Sequence, residues 1–215
     1  MGQFSHVKVW IFDLDDTLYA PEAFSAHMTH TIRTTLARHL GLTMEECSAY
    51  CQKLIKTHGG APFTGLHREA AVDMDSFISE GFDLDTSLLK SCLQTKDALM
   101  SLKGRKVVFT NSPSCHAGKV LTALDYVDIF EKIFDVTMFD FDSKPNLAPY
   151  DFVLKSLGVA GTECVMVEDS LKNLKTAKGL GITTVYVHGD KPDTEGVADY
   201  IYDNVLDFLH DAIKD

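Results

Sequence analysis

Short apolar runs alternate with amphipathic stretches along most of this chain. Apolar runs rich in β-branched residues predict strands over residues 7–12, 106–110, 132–136, 164–167, 183–187 and 200–202. Helical periodicity between them predicts helices over residues 114–124, 148–157, 171–180 and 205–213. Strands that are apolar on both faces and alternate with helices are typical of a parallel sheet covered on both sides. The pattern therefore predicts an α/β protein.

One interval departs from this alternation. A crossover between parallel strands needs only about a dozen residues, whereas residues 19–102 lie between the first strand and the approach to the second. This interval is almost wholly helical, with helices predicted over residues 23–39, 44–57, 65–72 and 86–102, and an irregular Gly-rich loop over 58–65. We therefore expect a helical subdomain of residues 19–102, inserted into a core formed by residues 1–18 and 103–215.

Composition and charge narrow the classes of partner. The chain has 215 residues and a formal net charge of −11, which disfavours a nucleic-acid polymer because such binding depends on neutralising phosphates. No apolar run approaches the roughly 18 residues of a membrane helix, and the N-terminus lacks the pattern of a signal peptide. Five scattered cysteines predict reduced thiols. We expect a cytoplasmic protein without a membrane partner, and the sequence carries no signal of oligomeric state.

Two carboxylates follow the first predicted strand. Side chains alternate between faces in an extended chain, so Asp13 and Asp15 should project from the same side, with Cα atoms about 7 Å apart. Two adjacent negative charges are unfavourable unless a cation or a reaction uses them. The alternative is an Asp-rich turn that caps the next helix.

Three later strand ends carry polar groups of related chemistry. Thr110 and Asn111 offer a hydroxyl, an amide and backbone N–H groups just before a helix, which suits a phosphate, although ordinary helix capping explains them too. Lys144 offers a cation, or is a surface lysine. Glu168 and Asp169 add a second pair of carboxylates, or an N-cap.

The combination favours chemistry over four unrelated local roles. In an open parallel sheet, ligands bind outside the carboxyl ends of the strands, and all four segments are predicted at that edge. Carboxylates and phosphate oxygens are ligands that suit Mg²⁺, and a bound cation with one lysine can invert the local field of an acidic protein. The sequence therefore predicts a magnesium-dependent site for phosphoryl chemistry on a small phosphorylated metabolite.

The same segments, in this order, resemble the motifs of the haloacid dehalogenase superfamily of aspartate-nucleophile phosphohydrolases. The matching positions are residues 13–18, Thr110, Lys144 and Glu168-Asp169 with Asn173. The resemblance implies a Rossmann-like, doubly wound parallel sheet with the helical insertion as a cap over the active site. Within the superfamily, residues 12–19, 59–69, 109–112 with 116–117, and 167–174 are most similar to the pyrimidine 5′-nucleotidase-like group.

The resemblance also implies roles for the acidic residues. Asp13 would attack the phosphorus and form an aspartyl-phosphate, which divides one hard displacement into two easier ones. Asp15 would protonate the leaving oxygen and then take a proton from water. Mg²⁺ would be held by Asp13, the backbone carbonyl of Asp15 and Asp169, while Glu168 and Asn173 would support the site.

Further residues are expected to bind the substrate. The Thr110 hydroxyl and the Asn111 N–H would bind phosphoryl oxygens, and Lys144 would neutralise charge on the nucleophile and phosphate. Phe63 and Thr64, in the irregular loop of the cap, are expected to face the leaving group. Phe63 could stack on a base, or it could be a core contact inside the cap.

The expected activity is hydrolysis of small phosphate monoesters, with a pyrimidine nucleoside 5′-monophosphate as the preferred substrate. The alternative is a phosphatase or phosphomutase acting on sugar phosphates or phosphoglycolate. A haloalkanoic acid dehalogenase attacks carbon and needs neither a metal nor an acid, so Asp15 and the pair Glu168-Asp169 disfavour it. A signalling domain phosphorylated on aspartate is disfavoured because such domains are shorter and lack a large cap.

Overall fold

A parallel sheet forms the centre of the molecule. The computed structural model describes residues 3–187 and 192–214. Within these residues six parallel strands lie in the order β3-β2-β1-β4-β5-β6. Their bounds are β1 Val9–Phe12, β2 Arg105–Phe109, β3 Lys132–Phe134, β4 Cys164–Glu168, β5 Thr183–Val187 and β6 Tyr200–Tyr202. This is the doubly wound order of Rossmann-like folds, so the predicted fold class is confirmed.

Helices fill the connections between the strands. In the described residues they are α1 Glu22–Leu40, α2 Met44–His58, α3 Pro62–Arg68, α4 Met74–Gly81, α5 Leu93–Ser101, α6 Ser114–Leu124, α7 Leu147–Leu157, α8 Leu171–Gly179 and α9 Val205–Ala212. Short 3₁₀ turns occur at Thr86–Leu88, Val127–Ile129, Val136–Phe139 and Gly161–Glu163. No helix in these parts of the chain is long and apolar enough to cross a membrane.

Alternate residues of the central strand pack on opposite faces of the sheet. Trp10 and Phe12 belong to an apolar cluster with buried residues of α5, α6 and α9. Val9 and Ile11 belong to a second cluster with α7 and α8. All four strand residues are buried, which explains why the strand is apolar on both faces. The core is therefore a three-layer arrangement of helices, sheet and helices.

The buried members of a third apolar cluster all lie in the first four helices. Its buried members are Leu36, Ala37, Cys47, Leu54, Leu66, Met74 and Phe77. A cluster separate from the two on the sheet supports the predicted helical cap, and the boundaries at residues 19 and 102 stay a prediction. The last helix of the predicted interval packs differently, because Ala98 and Leu99 of α5 are buried in the cluster that includes Trp10.

The helix prediction for residues 65–81 was wrong in two respects. The helix predicted over 65–72 begins at Pro62 and ends at Arg68, because proline suits the first turn of a helix. A helix at Met74–Gly81 was not predicted, and the side chain of Asp73 caps it by accepting a hydrogen bond from the N–H of Ser76 at 2.9 Å.

The single helix predicted over 86–102 is interrupted. A 3₁₀ turn at Thr86–Leu88 is followed by extended backbone at Leu89, with φ −81° and ψ 140°. Leu89 is thereby buried in the cluster under the sheet. Core packing therefore overrides the local helical pattern, and α5 begins only at Leu93.

Candidate active site

The candidate site lies where the strand order reverses. The strands β1 and β4 are neighbours at the centre of the sheet. Asp13 directly follows β1, and its N–H donates to the carbonyl of Val167 at 2.9 Å. Glu168 ends β4, and Asp169 follows it. Crevices at such switch points are the usual ligand sites of open α/β sheets, so the fold brings both acidic segments to one place.

Lys144 lies at the bottom of this crevice with 1% of its surface exposed. Its Nζ donates to Oδ1 of Asp13 at 2.6 Å, to Oε2 of Glu168 at 2.7 Å and to the carbonyl of Phe109 at 2.7 Å. The Asn111 side chain holds its backbone from both sides, accepting from the Lys144 N–H at 2.8 Å and donating to its carbonyl at 3.0 Å. Lys144 is thus a fixed internal cation and not a surface lysine.

Three carboxyl groups meet beside this cation. Asp13, Glu168 and Asp169 each offer an oxygen, and these oxygens lie within 4.8 Å of one another. Burial and the charge of Glu168 raise the pKa of Asp13 to about 7. Burial raises the pKa of Glu168 to about 7 and, with the charge of Asp13, that of Asp169 to about 6. Burial lowers the pKa of Lys144, but the two carboxylates it contacts outweigh that effect and raise it.

The cluster is short of positive charge, since one ammonium faces three carboxyl groups. A divalent cation with oxygen ligands would supply that charge and lower the three pKa values. Buried carboxylates that share a single cation are a donor set that suits Mg²⁺. The chemistry of the residues therefore fits a magnesium ion.

Asp15 has different neighbours. Its Oδ1 accepts hydrogen bonds from the Tyr19 hydroxyl and from Nε2 of His116, the latter at 2.8 Å. Its Oδ2 accepts one from the Ser112 hydroxyl at 2.5 Å. Burial raises the pKa of Asp15, but the hydrogen bonds from His116, Ser112 and Tyr19 outweigh burial and lower it. Hydroxyl and imidazole groups can donate or accept, whereas the ammonium of Lys144 only donates.

Thr110 and Asn173 are two further residues of the predicted site, and both are buried. Thr110 is buried after β2, where its N–H donates to the carbonyl of Phe134 at 2.9 Å and its hydroxyl accepts from the Ser112 N–H at 3.0 Å. The carbonyl of Asn173 accepts from the hydroxyl of Tyr150 at 2.8 Å. Their roles in binding phosphate and in supporting the site stay predictions.

The two cap residues of the predicted site make contacts within the protein. Phe63 lies in α3, with ring centroids 5.8 Å from Phe77 and 5.9 Å from Phe82. Thr64 is 1% exposed, and its hydroxyl donates to the carbonyl of Phe141 at 2.9 Å. Both residues therefore contact other residues of the protein. Their contact with a substrate stays a prediction.

Thr64 is part of a buried relay of hydrogen bonds between α3 and the loop that leads to Lys144. The Ala61 N–H donates to the Ser143 hydroxyl at 2.7 Å, and the hydroxyls of Ser143 and Thr64 lie 2.8 Å apart. Since the Thr64 proton goes to a carbonyl, Ser143 must be the donor of that bond. A Cβ at Gly60 would lie 2.4 Å from the Ser143 hydroxyl, so only glycine fits there.

His116 and Tyr19 were missed as functional residues. The signal for His116 is its position in the apolar stripe of α6, where Ala117, Val120, Leu121 and Leu124 are also buried. A histidine on the buried face of a helix that begins at the carboxyl edge of the sheet is expected to have a hydrogen-bond partner there. The partner is a carboxylate 101 residues earlier in the chain.

Residues 7–181 match the family described as haloacid dehalogenase-like hydrolase. The chain belongs to this family. It is similar to the glyceraldehyde 3-phosphate phosphatase of Methanocaldococcus jannaschii, with 29% identity over 225 residues that cover 97% of each chain. It is also similar to the phosphoglycolate phosphatase of Pectobacterium atrosepticum, with 25% identity over 227 residues, 97% of this chain and 94% of the relative.

A solved structure shows the same fold. The chain matches a haloacid dehalogenase-type phosphatase from Thermococcus onnurineus with a TM-score of 0.62, 21% identity and coverage of 97% of each chain. Membership of the family and the phosphatase relatives confirm the predicted class of enzyme, a phosphoric monoester hydrolase. The pyrimidine nucleotidase subgroup is not confirmed, because the names of these relatives fit the alternative of sugar phosphates or phosphoglycolate better.

Proposed function

We propose that this protein is a magnesium-dependent phosphatase that hydrolyses a small sugar phosphate or phosphoglycolate through an aspartyl-phosphate on Asp13. The observation that carries the proposal is the contrast between two carboxylates two residues apart. Asp13 accepts at 2.6 Å from a cation that only donates and at 3.3 Å from the Thr17 hydroxyl. The partners of Asp15 given above are two hydroxyls and an imidazole, which can all donate or accept. Two carboxylates in contrasting environments are typical of sites that divide acid–base work.

Asp13 is suited to act as the nucleophile. The ammonium of Lys144 at 2.6 Å favours its ionised form and would also neutralise charge on an incoming phosphate. Attack of an Asp13 oxygen on phosphorus forms the acyl phosphate and breaks the bond to the ester oxygen. Water then attacks the same phosphorus, which releases inorganic phosphate and restores the carboxylate.

Asp15 is suited to move the proton in both steps. In the first step it gives a proton to the departing ester oxygen, and in the second it takes one from the attacking water, so its protonation is restored after each turnover. The carboxylate must therefore change its hydrogen-bonding role twice. The hydroxyls of Tyr19 and Ser112 and the imidazole of His116 can follow that change by reversing their own roles.

The acidic cluster suggests how the metal would be held. Asp13, Asp169 and the backbone carbonyl of Asp15 would be its ligands, and Glu168 would support them while bound to Lys144. A magnesium ion at this position supplies charge neutralisation between the carboxylate and the phosphate oxygens.

The substrate class is inferred from relatives and from the cap. The two relatives described above match along nearly the whole chain, and their names refer to small phosphorylated metabolites, glyceraldehyde 3-phosphate and phosphoglycolate. The packing of Phe63 against Phe77 and Phe82 favours the alternative role of a core contact inside the cap over stacking on a base. We therefore propose pyrimidine nucleotides only as the second candidate substrate class.

The test is release of inorganic phosphate from a panel of phosphoglycolate, glyceraldehyde 3-phosphate, hexose phosphates and pyrimidine monophosphates, with Mg²⁺ or EDTA. We expect the highest kcat/KM on a small acid or sugar phosphate, and no turnover in EDTA. Full activity in EDTA would contradict the proposed requirement for Mg²⁺. A clear preference for pyrimidine monophosphates would contradict the proposed substrate class but not the mechanism. Formation of an isomeric phosphate instead of free phosphate would indicate a phosphomutase.

A further inference from the structure

His116 is held in one orientation by aromatic rings. It lies in the first turn of α6 and is 1% exposed. Its ring is stacked on that of Phe24, with centroids 6.3 Å apart and an interplanar angle of 16°. The ring of Phe82 lies on it at 5.4 Å and 59°. Two such contacts leave a buried imidazole little freedom to rotate, so Nε2 stays directed at Asp15.

The two rings come from the helical insertion, whereas the histidine comes from the core. Phe24 is in the first turn of α1, and Phe82 directly follows α4. His116 is on α6, whose buried residues pack under the sheet. The imidazole therefore lies between the insertion and the carboxylate of Asp15, which it contacts at 2.8 Å.

We propose that His116 is the positioning residue of Asp15, and that Phe24 and Phe82 of the insertion hold its imidazole in place. By holding Oδ1, Nε2 of His116 fixes the plane of the carboxylate and leaves Oδ2, on the Ser112 side, to meet the leaving-group oxygen. This inference rests on the proposed function, because it assigns a residue to the proton transfer of that reaction.

A positioning role predicts which substrates suffer when the histidine is lost. An alkyl phosphate needs its departing oxygen protonated, whereas p-nitrophenolate departs without a proton. Misdirecting the acid should therefore slow the first step only for the alkyl ester. With either substrate, the second step needs Asp15 as the base that takes a proton from water. With p-nitrophenyl phosphate, the aspartyl-phosphate on Asp13 should therefore form quickly and hydrolyse slowly.

The experiment compares full-length variants with Mg²⁺. His116→Leu removes the donor and keeps apolar contact with both rings, and His116→Gln keeps an N–H that can reach the carboxylate. General acid–base catalysis contributes about 10²–10⁴-fold, so we expect His116→Leu to lose about 100-fold in kcat/KM on the best alkyl phosphate. On p-nitrophenyl phosphate it should lose only a few-fold in kcat/KM and show a burst of p-nitrophenol equal to the enzyme concentration. His116→Gln should recover most of the alkyl phosphate activity.

His39→Leu is the matched control, because His39 also pairs with a carboxylate, that of Glu80 at 3.2 Å, and contacts a ring, that of Phe77, at 6.0 Å. It should leave the ratio of the two substrates unchanged. If His116→Leu does not fold, His116→Asn replaces it, since its shorter amide cannot reach Asp15, and the outcomes are interpreted in the same way.

Equal losses on both substrates without a burst, or a glutamine variant as impaired as the leucine variant, would overturn the positioning role. A wild-type enzyme that releases phosphate from no substrate would instead overturn the proposed function itself.

Discussion

Replacing Lys144 with methionine tests the electrostatics of the site. Methionine keeps most of the volume of the side chain but removes the ammonium, which donates to Asp13, Glu168 and the carbonyl of Phe109. The two carboxyl groups would then share a buried place without their cation. We therefore expect a large loss in the free energy of unfolding at alkaline pH.

The expected loss in the free energy of unfolding follows from the burial of Lys144 and its carboxylate partners. Removing one partner of a buried ion pair costs about 3–5 kcal/mol, and most domains have only about 5–15 kcal/mol in total. The loss should depend on pH, because burial raises the pKa of both Asp13 and Glu168 to about 7 even beside the lysine. Below pH 6 these groups bind protons in the folded state, and neutral carboxyls no longer need a cation, so the loss should shrink.

Urea unfolding at pH 8 and pH 5.5, in EDTA, measures both quantities. Lys175→Met is the matched control, because Lys175 forms an ion pair with Glu195 at 2.6 Å, close to the distances made by Lys144, but 67% and 66% of the two side chains are exposed. Exposed pairs contribute little to stability, so the control should unfold like the wild type.

A loss below about 1 kcal/mol at pH 8 would refute the reasoning, since it lies under the cost of a buried uncompensated charge. A large loss that is the same at both pH values would refute the assignment of that cost to the ionised carboxylates.

Three further outcomes are expected. Asp13→Asn should reduce phosphate release to background. The melting temperature should not fall, because the substitution removes one of three clustered acidic charges. Retained turnover would contradict the assignment of Asp13 as the nucleophile. In EDTA the wild type should lose stability as the pH rises from about 4 to about 7, since the raised carboxyl pKa values let the folded state bind protons that the unfolded state has released. Saturating Mg²⁺ should make the free energy of unfolding less dependent on pH. A free energy of unfolding that rises with pH in EDTA would contradict the prediction. Thr64→Val should cost about 1–3 kcal/mol by leaving the buried partners on Ser143 and Phe141 unpaired, and should lower kcat. The same change at exposed Thr122, whose hydroxyl bonds its own helix at Gly118, should have a smaller effect on urea unfolding, and equal effects would count against the relay.

The sheet and the residues at its carboxyl edge could be predicted because their signals are local. A buried parallel strand is an apolar run, and a polar group that follows it, such as Asp13 or Glu168, is carried to the edge by the strand itself. The position of Lys144 required more, because a lysine in a loop is usually exposed. Its burial depends on the Asn111 side chain, which binds the Lys144 backbone from another strand end 33 residues away.

The cap was harder to predict in detail because its short helices depend on tertiary packing. The first turn of α3 contains Pro62, a signal that the prediction of a loop did not use. The break at Leu89 comes from burial in the core, which no local pattern contains. The contact between His116 and Asp15 joins segments far apart in the chain, so the apolar stripe of α6 indicates a buried histidine but not its partner.

The hydroxyl relay between α3 and the loop before Lys144 has a consequence for exchanging caps between related enzymes. Ser143 lies next to Lys144, which contacts Asp13. Its hydroxyl contacts Ala61 and Thr64, and Gly60 lies close to it. A cap transplanted from a relative to change substrate preference would keep the relay only if it brought residues that make the same contacts with Ser143. We expect such chimaeras to be active only when residues 59–64 and 139–146 are transferred as one unit, so that the cap and the loop that carries Lys144 are inherited together.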